Sequence, residues 1–410
     1  MHLYLIPETS TRKSLDVWPV LPIIIRGDVS ETSVDDVIAE LEQSDRILQC
    51  ELNCHTTSEI EKLAAVIRVP FPELVGLYLS YRGSNAPVQV LPDSLLGGSA
   101  PRLRYFYLRG IPFPGLPKFI FSATHLDTLS LVNIPHSGYI SPEAMVPCLS
   151  MLTRLTELGL GFESPQSCPD QETRRLPPPT RSVLPALRIF GFKGVNEYLE
   201  ELVAQIDTPR LGHFKATFFN DIDFDIPELI RLVSHASVLK APNEAHVVFD
   251  SRTASVKLQP QASNFEHFKV EILCREPDWQ LSSVAQICTT SLPLLSMTES
   301  LFIYEPVDSQ LYWKDGIENI EWLELLLPFT AVKNLYLSKQ FAPRIAPALQ
   351  EMSGSGTTEA LSTLQNLHLE GFQSSESVQE GIKRFISARQ LTNSPVAVSV
   401  WERDVVRDES

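Results

Sequence analysis

A six-residue form, L-x-x-L-x-L, returns along this chain and constrains its fold more than any other feature. It is clearest in LTELGLGF, where Leu155, Leu158 and Leu160 are the apolar beats. The same form starts at Leu74 (LVGLYLSY), Leu103 (LRYFYLRG), Leu126 (LDTLSLVN), Leu187 (LRIFGFKG), Val332 (VKNLYLSK) and Leu364 (LQNLHLEG). Weaker versions extend the series to starts at about 47, 74, 103, 126, 155, 187, 211, 238, 265, 298, 332 and 364, a spacing of about 29 residues. A strand turns successive side chains to opposite faces, so the last two beats point one way and the residues beside them the other. One such strand cannot bury its leucines alone. Stacked copies bury them in one continuous core.

Helical patterns lie between the strands. In SEIEKLAAVI, Ser58 and Glu61 have capping-box spacing, and Ile60, Leu63, Ala64 and Ile67 recur at helical intervals. SVDDVIAELEQ repeats the pattern with Val34, Val37, Ile38 and Leu41; PELIRLVSHA and SVQEGIKRFISARQ resemble it. Shorter returns such as PDSLLGGSAP need only a turn or a short helix. The expected fold is α/β: a curved leucine-rich-repeat solenoid of about 12 irregular repeats, with a parallel sheet on its concave face and helices and loops on its convex face. The expected organisation is a lead-in over 1–20, a single solenoid over 21–402 and a tail over 403–410. Residues 163–182 (ESPQSCPDQETRRLPPPTRS) read as an inserted loop, with a proline-motif ligand as the sharper alternative. EMSGSGTTEA, 351–360, reads as a second loop, and HVVFDSRTASVKL, 246–258, as a hairpin.

Several longer stretches resemble a known group. VWPVLPIIIRG, NIPHSGYISPEAM, LPPPTRSVLPALRIFGFKGVNEYLEELVAQIDTPRL, CREPDWQLSSVAQIC and ENIEWLELLLPFTAVKNLYLSKQFAPRIAPALQEM are similar to F-box-like leucine-rich-repeat proteins of mushroom-forming fungi. The resemblance spans about Leu15 to Glu402. It implies a target-recognition arm for ubiquitination, in which an N-terminal F-box binds the ligase adaptor and the repeats hold the target. Only about 20 residues precede the LPIIIRG strand, and they carry Trp18 and Pro19 rather than helix signals. The expectation is therefore a repeat module without its own F-box. A stand-alone sensor or scaffold is the other reading.

Charge and composition narrow the partners. The chain has 34 basic and 50 acidic residues, a net charge of −16. Such a field repels phosphate backbones and anionic lipid, and no basic run of five residues overrules it. Neither nucleic acid nor membrane is an expected partner. No stretch reaches the roughly 18–20 consecutive apolar residues of a membrane span, and the start MHLYLIPETSTRK is no signal peptide. The six cysteines are scattered, unlike a disulfide scaffold. The expectation is a monomer in the cytoplasm or nucleus.

Chemistry is harder to find. Cys50, Cys54 and His55 form C-x-x-x-C-H, but Cys50 falls on an apolar beat and no second ligand pair follows, so structural cysteines are expected. DIDFD, 221–225, lacks the glycine and distal glutamate of a calcium loop and reads as a turn or helix cap. No nucleophile motif or phosphate loop occurs. The expectation is a protein with no enzymatic activity, no cofactor and no metal. The outward positions of the strands form the more informative set. They carry Tyr78, Tyr105, Tyr107, Arg109, Lys193, His213, Lys215, Phe302, Tyr304, Tyr336 and His368. Aromatic and arginine side chains dominate binding hot spots, although Tyr and Phe also suit strands in their own right. These residues are the candidate surface for a protein target.

Overall fold

The strands fall where the repeat places them. In the computed structural model, nine of the twelve starts (74, 103, 126, 155, 187, 211, 298, 332 and 364) are each followed two residues later by the first residue of a strand. The structure describes residues 2–4, 22–83, 88–167, 180–219, 226–236, 242–260, 267–291, 293–306, 319–354, 361–371, 376–391 and 393–402. It divides into two compact units, Met1–Leu211 and Gly212–Ser410. Each unit is α/β, with a large, mostly parallel sheet.

The first unit contains β1 (His2–Tyr4), β2 (Ile23–Asp28), helix α1 (Val34–Leu41), β3 (Ile47–Cys54), α2 (Thr57–Val66), β4 (Gly76–Tyr81), β5 (Tyr105–Arg109), α3 (Leu116–Ile120), β6 (Thr128–Ile134), α4 (Pro142–Met151), β7 (Glu157–Phe162), β8 (Ser182–Val183), β9 (Ile189–Gly194), α5 (Asn196–Ala204) and β10 (Ile206–Asp207). Its main sheet has the order β1-β2-β3-β4-β5-β6-β7-β9, and the pairings along it are parallel. β8 and β10 pair separately. Parallel neighbours need a crossover, which explains the helix or short turn between successive strands. All three beats of each form are buried: Leu126, Leu129 and Leu131 are 0%, 0% and 5% exposed. At roughly 1.5–3 kcal/mol for each fully buried side chain, these rows form the main apolar core.

Local details depart from the expectation at two points. The cap of α2 is Thr56 rather than Ser58. Glu59 N donates to Thr56 Oγ1 at 3.3 Å, and Glu59 Oε2 accepts from Thr56 N at 3.1 Å and His55 N at 2.7 Å. The reciprocal bonds start the helix at Thr57. A strand also precedes LPIIIRG, since His2–Tyr4 pairs with Ile24–Arg26.

The second unit contains β11 (His213–Phe219), α6 (Pro227–His235), β12 (Glu244–Phe249), β13 (Thr253–Gln259), β14 (Phe268–Leu273), α7 (Pro277–Ser291), β15 (Ser300–Tyr304), α8 (Asn319–Leu326), β16 (Asn334–Leu337), α9 (Ala342–Gly354), β17 (Asn366–Glu370), α10 (Glu376–Leu391) and β18 (Ala397–Trp401). The expected hairpin is present: β12 and β13 pair antiparallel, with His246 opposite Lys257. β14 then returns antiparallel to β13 and pairs parallel with β11, so the order is β11-β14-β13-β12-β15-β16-β17-β18. Gln280 of α7, fully buried, pins the hairpin end by donating to the carbonyls of Asp250 at 2.8 Å and Cys274 at 2.7 Å.

Two further expectations concern this unit. The weak start at 238 lies outside the described residues; the next strand, β12, begins at Glu244, where Ala245, Val247 and Phe249 supply the buried alternation. The first four residues of the loop expected over 351–360 are helical, because α9 continues to Gly354. Residues 5–21, 168–179, 221–225, 355–360 and 403–410 lie outside the described residues, and with them most of the lead-in, most of the inserted loop, the DIDFD cluster and the tail.

Candidate functional site

Register turns the outward residues of each unit into rows. In the first unit, Arg26, Glu51, Tyr78, Tyr107, Ser130, Gly159 and Gly191 are consecutive partners across seven strands. Two residues earlier in β4 and β5, Gly76 is the partner of Tyr105. Tyr78, Tyr105 and Tyr107 are half-buried on the face opposite the leucines, and Arg109 is exposed. The Tyr78 and Tyr107 rings are 6.3 Å apart. Gly76 leaves room for Tyr78, since a Cβ there would lie 3.1 Å from the Tyr78 ring. Arg26 Nε pairs with Glu51 at 3.1 Å, and the Arg104 guanidinium sits 5.7 Å from the centre of the Tyr105 ring. Burial, then Tyr105 and Glu51, push the Tyr78 hydroxyl above its ordinary pKa. Past Ser130 the row falls to Gly159 and Gly191, so the rings border a floor without side chains. Lys193 stands beside that floor, opposite Gly161.

The second unit carries a longer row. Lys215, Lys269, Lys257, His246, Phe302, Tyr336, His368 and Ser399 are consecutive partners across eight strands. Its aromatic half is a stack. Ring centroids are 4.5 Å apart for His246–Phe302, 4.2 Å for Phe302–Tyr336 and 4.1 Å for Tyr336–His368, with planes within 9° of parallel. Tyr304 meets His246 edge-on at 5.9 Å. Below the stack runs a polar ladder, where Asn366 Nδ2 donates to Asn334 Oδ1 at 2.9 Å and Asn334 Nδ2 donates to Ser300 Oγ at 3.2 Å. In the basic half Lys215 is exposed, and Lys269 pairs with Glu271 at 2.8 Å. Burial alone would raise the Glu271 pKa; Lys269, Lys215 and the Thr217 hydroxyl together outweigh it and hold the carboxyl below its usual range. His213 lies 5.0 Å from His267.

No family model and no curated protein matches this chain.

The eleven residues expected on the outward face are all half-buried or exposed there. The structure brings Tyr78, Tyr105 and Tyr107 together in one unit, and Phe302, Tyr304, Tyr336 and His368 in the other. Arg26, Glu51, His246, Lys257, Lys269 and Trp401 were not in that set. The expected hairpin over 246–258 contains a signal for two of them, because antiparallel pairing sets His246 opposite Lys257, and cross-strand partners share a face. Cys50 and Cys54 point into the core, 2% and 0% exposed, while His55 is exposed. Among the described residues no group of three or more His, Cys, Asp or Glu is placed to hold a metal, and no helix is long and apolar enough to cross a membrane.

Proposed function

We propose that this chain is a non-enzymatic protein-binding module that engages a protein target through the outward faces of its sheets. The observation that carries the reading is the pair of ring rows, Tyr78–Tyr107 and His246–Phe302–Tyr336–His368, held at the surface by strand register. Aromatic side chains held in place lose little freedom on binding and present a large contact area. The repeat period and the resemblance to F-box-like leucine-rich-repeat proteins support a leucine-rich-repeat solenoid working in target recognition for ubiquitination.

Affinity capture from a fungal lysate tests the surface. Tyr105→Ala combined with Tyr107→Ala should remove captured proteins while leaving the urea midpoint within the range of other surface variants. An unchanged set of captured proteins would refute the outward face of the first unit as the site. For the ligase version, calorimetric titration of purified adaptor into purified chain should show no binding. Saturable binding tighter than about 1 μM, roughly −8 kcal/mol, would mean that the chain carries its own F-box.

A further inference from the structure

The ring stack of the second unit already carries a guest. Trp401, on the last described strand, lies 5.5 Å from Tyr336 at 70° and 5.9 Å from Phe302 at 61°. Its backbone is in register with Glu370 of β17, so the indole reaches back past β17 to rings on β16 and β15. Rings stacked from strand to strand share an axis that lies in the sheet, so their edges face outward. Those edges are electropositive and the face of an aromatic ring is electronegative, which favours the crossed arrangement seen here.

β18 has little other hold on the unit. None of its five side chains is buried. Val400 is 59% exposed, whereas its register partner Leu369 is 2% exposed. The strand is tied to β17 by the parallel backbone pairing, by the 2.7 Å bond between Ser399 Oγ and His368 Nδ1, and by Trp401. Removing it would open no cavity in the core. An element with few buried contacts belongs to the low-stability end of a fold.

We propose that the outer edge of β17 and the ring stack together form an acceptor site for a strand bearing an indole. In the free chain residues 397–401 fill it. A protein partner reaches it with an extended segment of the same chemistry: β-branched residues with a Trp set over the stack. This rests on the reading of the outward face as a partner surface. Main-chain bonds to β17 supply affinity, and the stack selects the aromatic residue. A site that its own chain fills shows an apparent affinity reduced by the fraction of time it is open. Weakening the resident strand therefore strengthens binding in trans.

The probe is a fluorescein-labelled peptide with the sequence of residues 394–401, SPVAVSVW, titrated with full-length chain by fluorescence anisotropy. The Trp401→Ala chain should bind it at least tenfold more tightly than the wild-type chain. A peptide with Ala in place of the Trp should bind at least tenfold more weakly. Adding Phe302→Leu and Tyr336→Leu to the Trp401→Ala chain should remove the gain. Hydrogen exchange should speed up over 397–401 in the Trp401→Ala chain and stay unchanged at Asn366 and His368, whose amides face β16 rather than β18, which reports that the acceptor strand is intact. Equal binding by the two chains, or no binding by the Trp401→Ala chain with Asn366 and His368 still protected, overturns the proposal. The tyrosine variants of the first unit are read separately, so failure of one test leaves the other standing.

Discussion

Tyr336 stacks on Phe302 with ring centroids 4.2 Å apart and planes 9° from parallel, although 34 positions separate them in the chain. The contact exists because β15 and β16 pair in parallel with these residues as partners. A double-mutant cycle of Phe302→Leu and Tyr336→Leu, read from urea midpoints, should give a coupling of about 0.5–1.5 kcal/mol, the usual range for an aromatic pair. Additive effects would mean that the rings do not stack in solution.

Leu129 and Ser130 are neighbours on opposite faces of β6, the first fully buried and the second half-buried. Leu129→Asp should cost about 3–5 kcal/mol, because it buries a carboxylate with no partner. Ser130→Asp should stay within about 0.5 kcal/mol. Equal shifts in urea midpoint would mean that the strand register is wrong.

The cap of α2 separates the sequence reading from the structure. Thr56→Ala should cost about 1 kcal/mol, since it leaves Glu59 N without its partner. Ser58→Ala, at an exposed position in the first turn, should change the midpoint by no more than about 0.3 kcal/mol. The reverse order would restore Ser58 as the cap.

Burial pushes the thiols of Cys50 and Cys54 up to about 12, with Cys54 and Glu51 adding to the first and Glu59 to the second. Burial raises the Cys288 thiol further. The thiolate is the reactive form, so alkylation by iodoacetamide at pH 8 should be roughly a thousandfold slower than for a free cysteine. Peptide mass spectrometry should find all three modified quickly in urea and unmodified without it.

His267 and His368 set a pH dependence. Burial lowers both below the ordinary value of 6.5, with His213 adding to the effect on His267. Above 6.5 both imidazoles are neutral in the folded and unfolded chain, and they contribute no slope. As pH falls through 6.5 the unfolded chain takes up protons first, so stability declines until the folded-state values are passed. Urea midpoints should drop from pH 7 to pH 5, and His368→Gln should flatten part of that drop. A midpoint that rises on acidification would contradict the sign.

Most of the strand positions were legible because burial acts locally. A leucine that must point inward every second residue leaves its mark within six positions, so Leu74, Leu103, Leu126, Leu155 and Leu187 each announce a strand two residues ahead. Alternation likewise located Tyr105 and Tyr107 on the open face, and the two runs around Asp250 the hairpin. What sits beside what was not legible in the same way. Lys269 follows Lys257 in the chain yet stands between it and Lys215 in the sheet, because β14 returns to pair with β11. Trp401 carries no pattern at all that points to Phe302, 99 positions earlier. The amino-acid sequence by itself determined which residues face the core and which face out, since that choice depends on each segment's own period. Only the tertiary structure decided the rows, the ring stack and the resting place of Trp401, since those depend on strand order and register, which are set by pairing between distant segments.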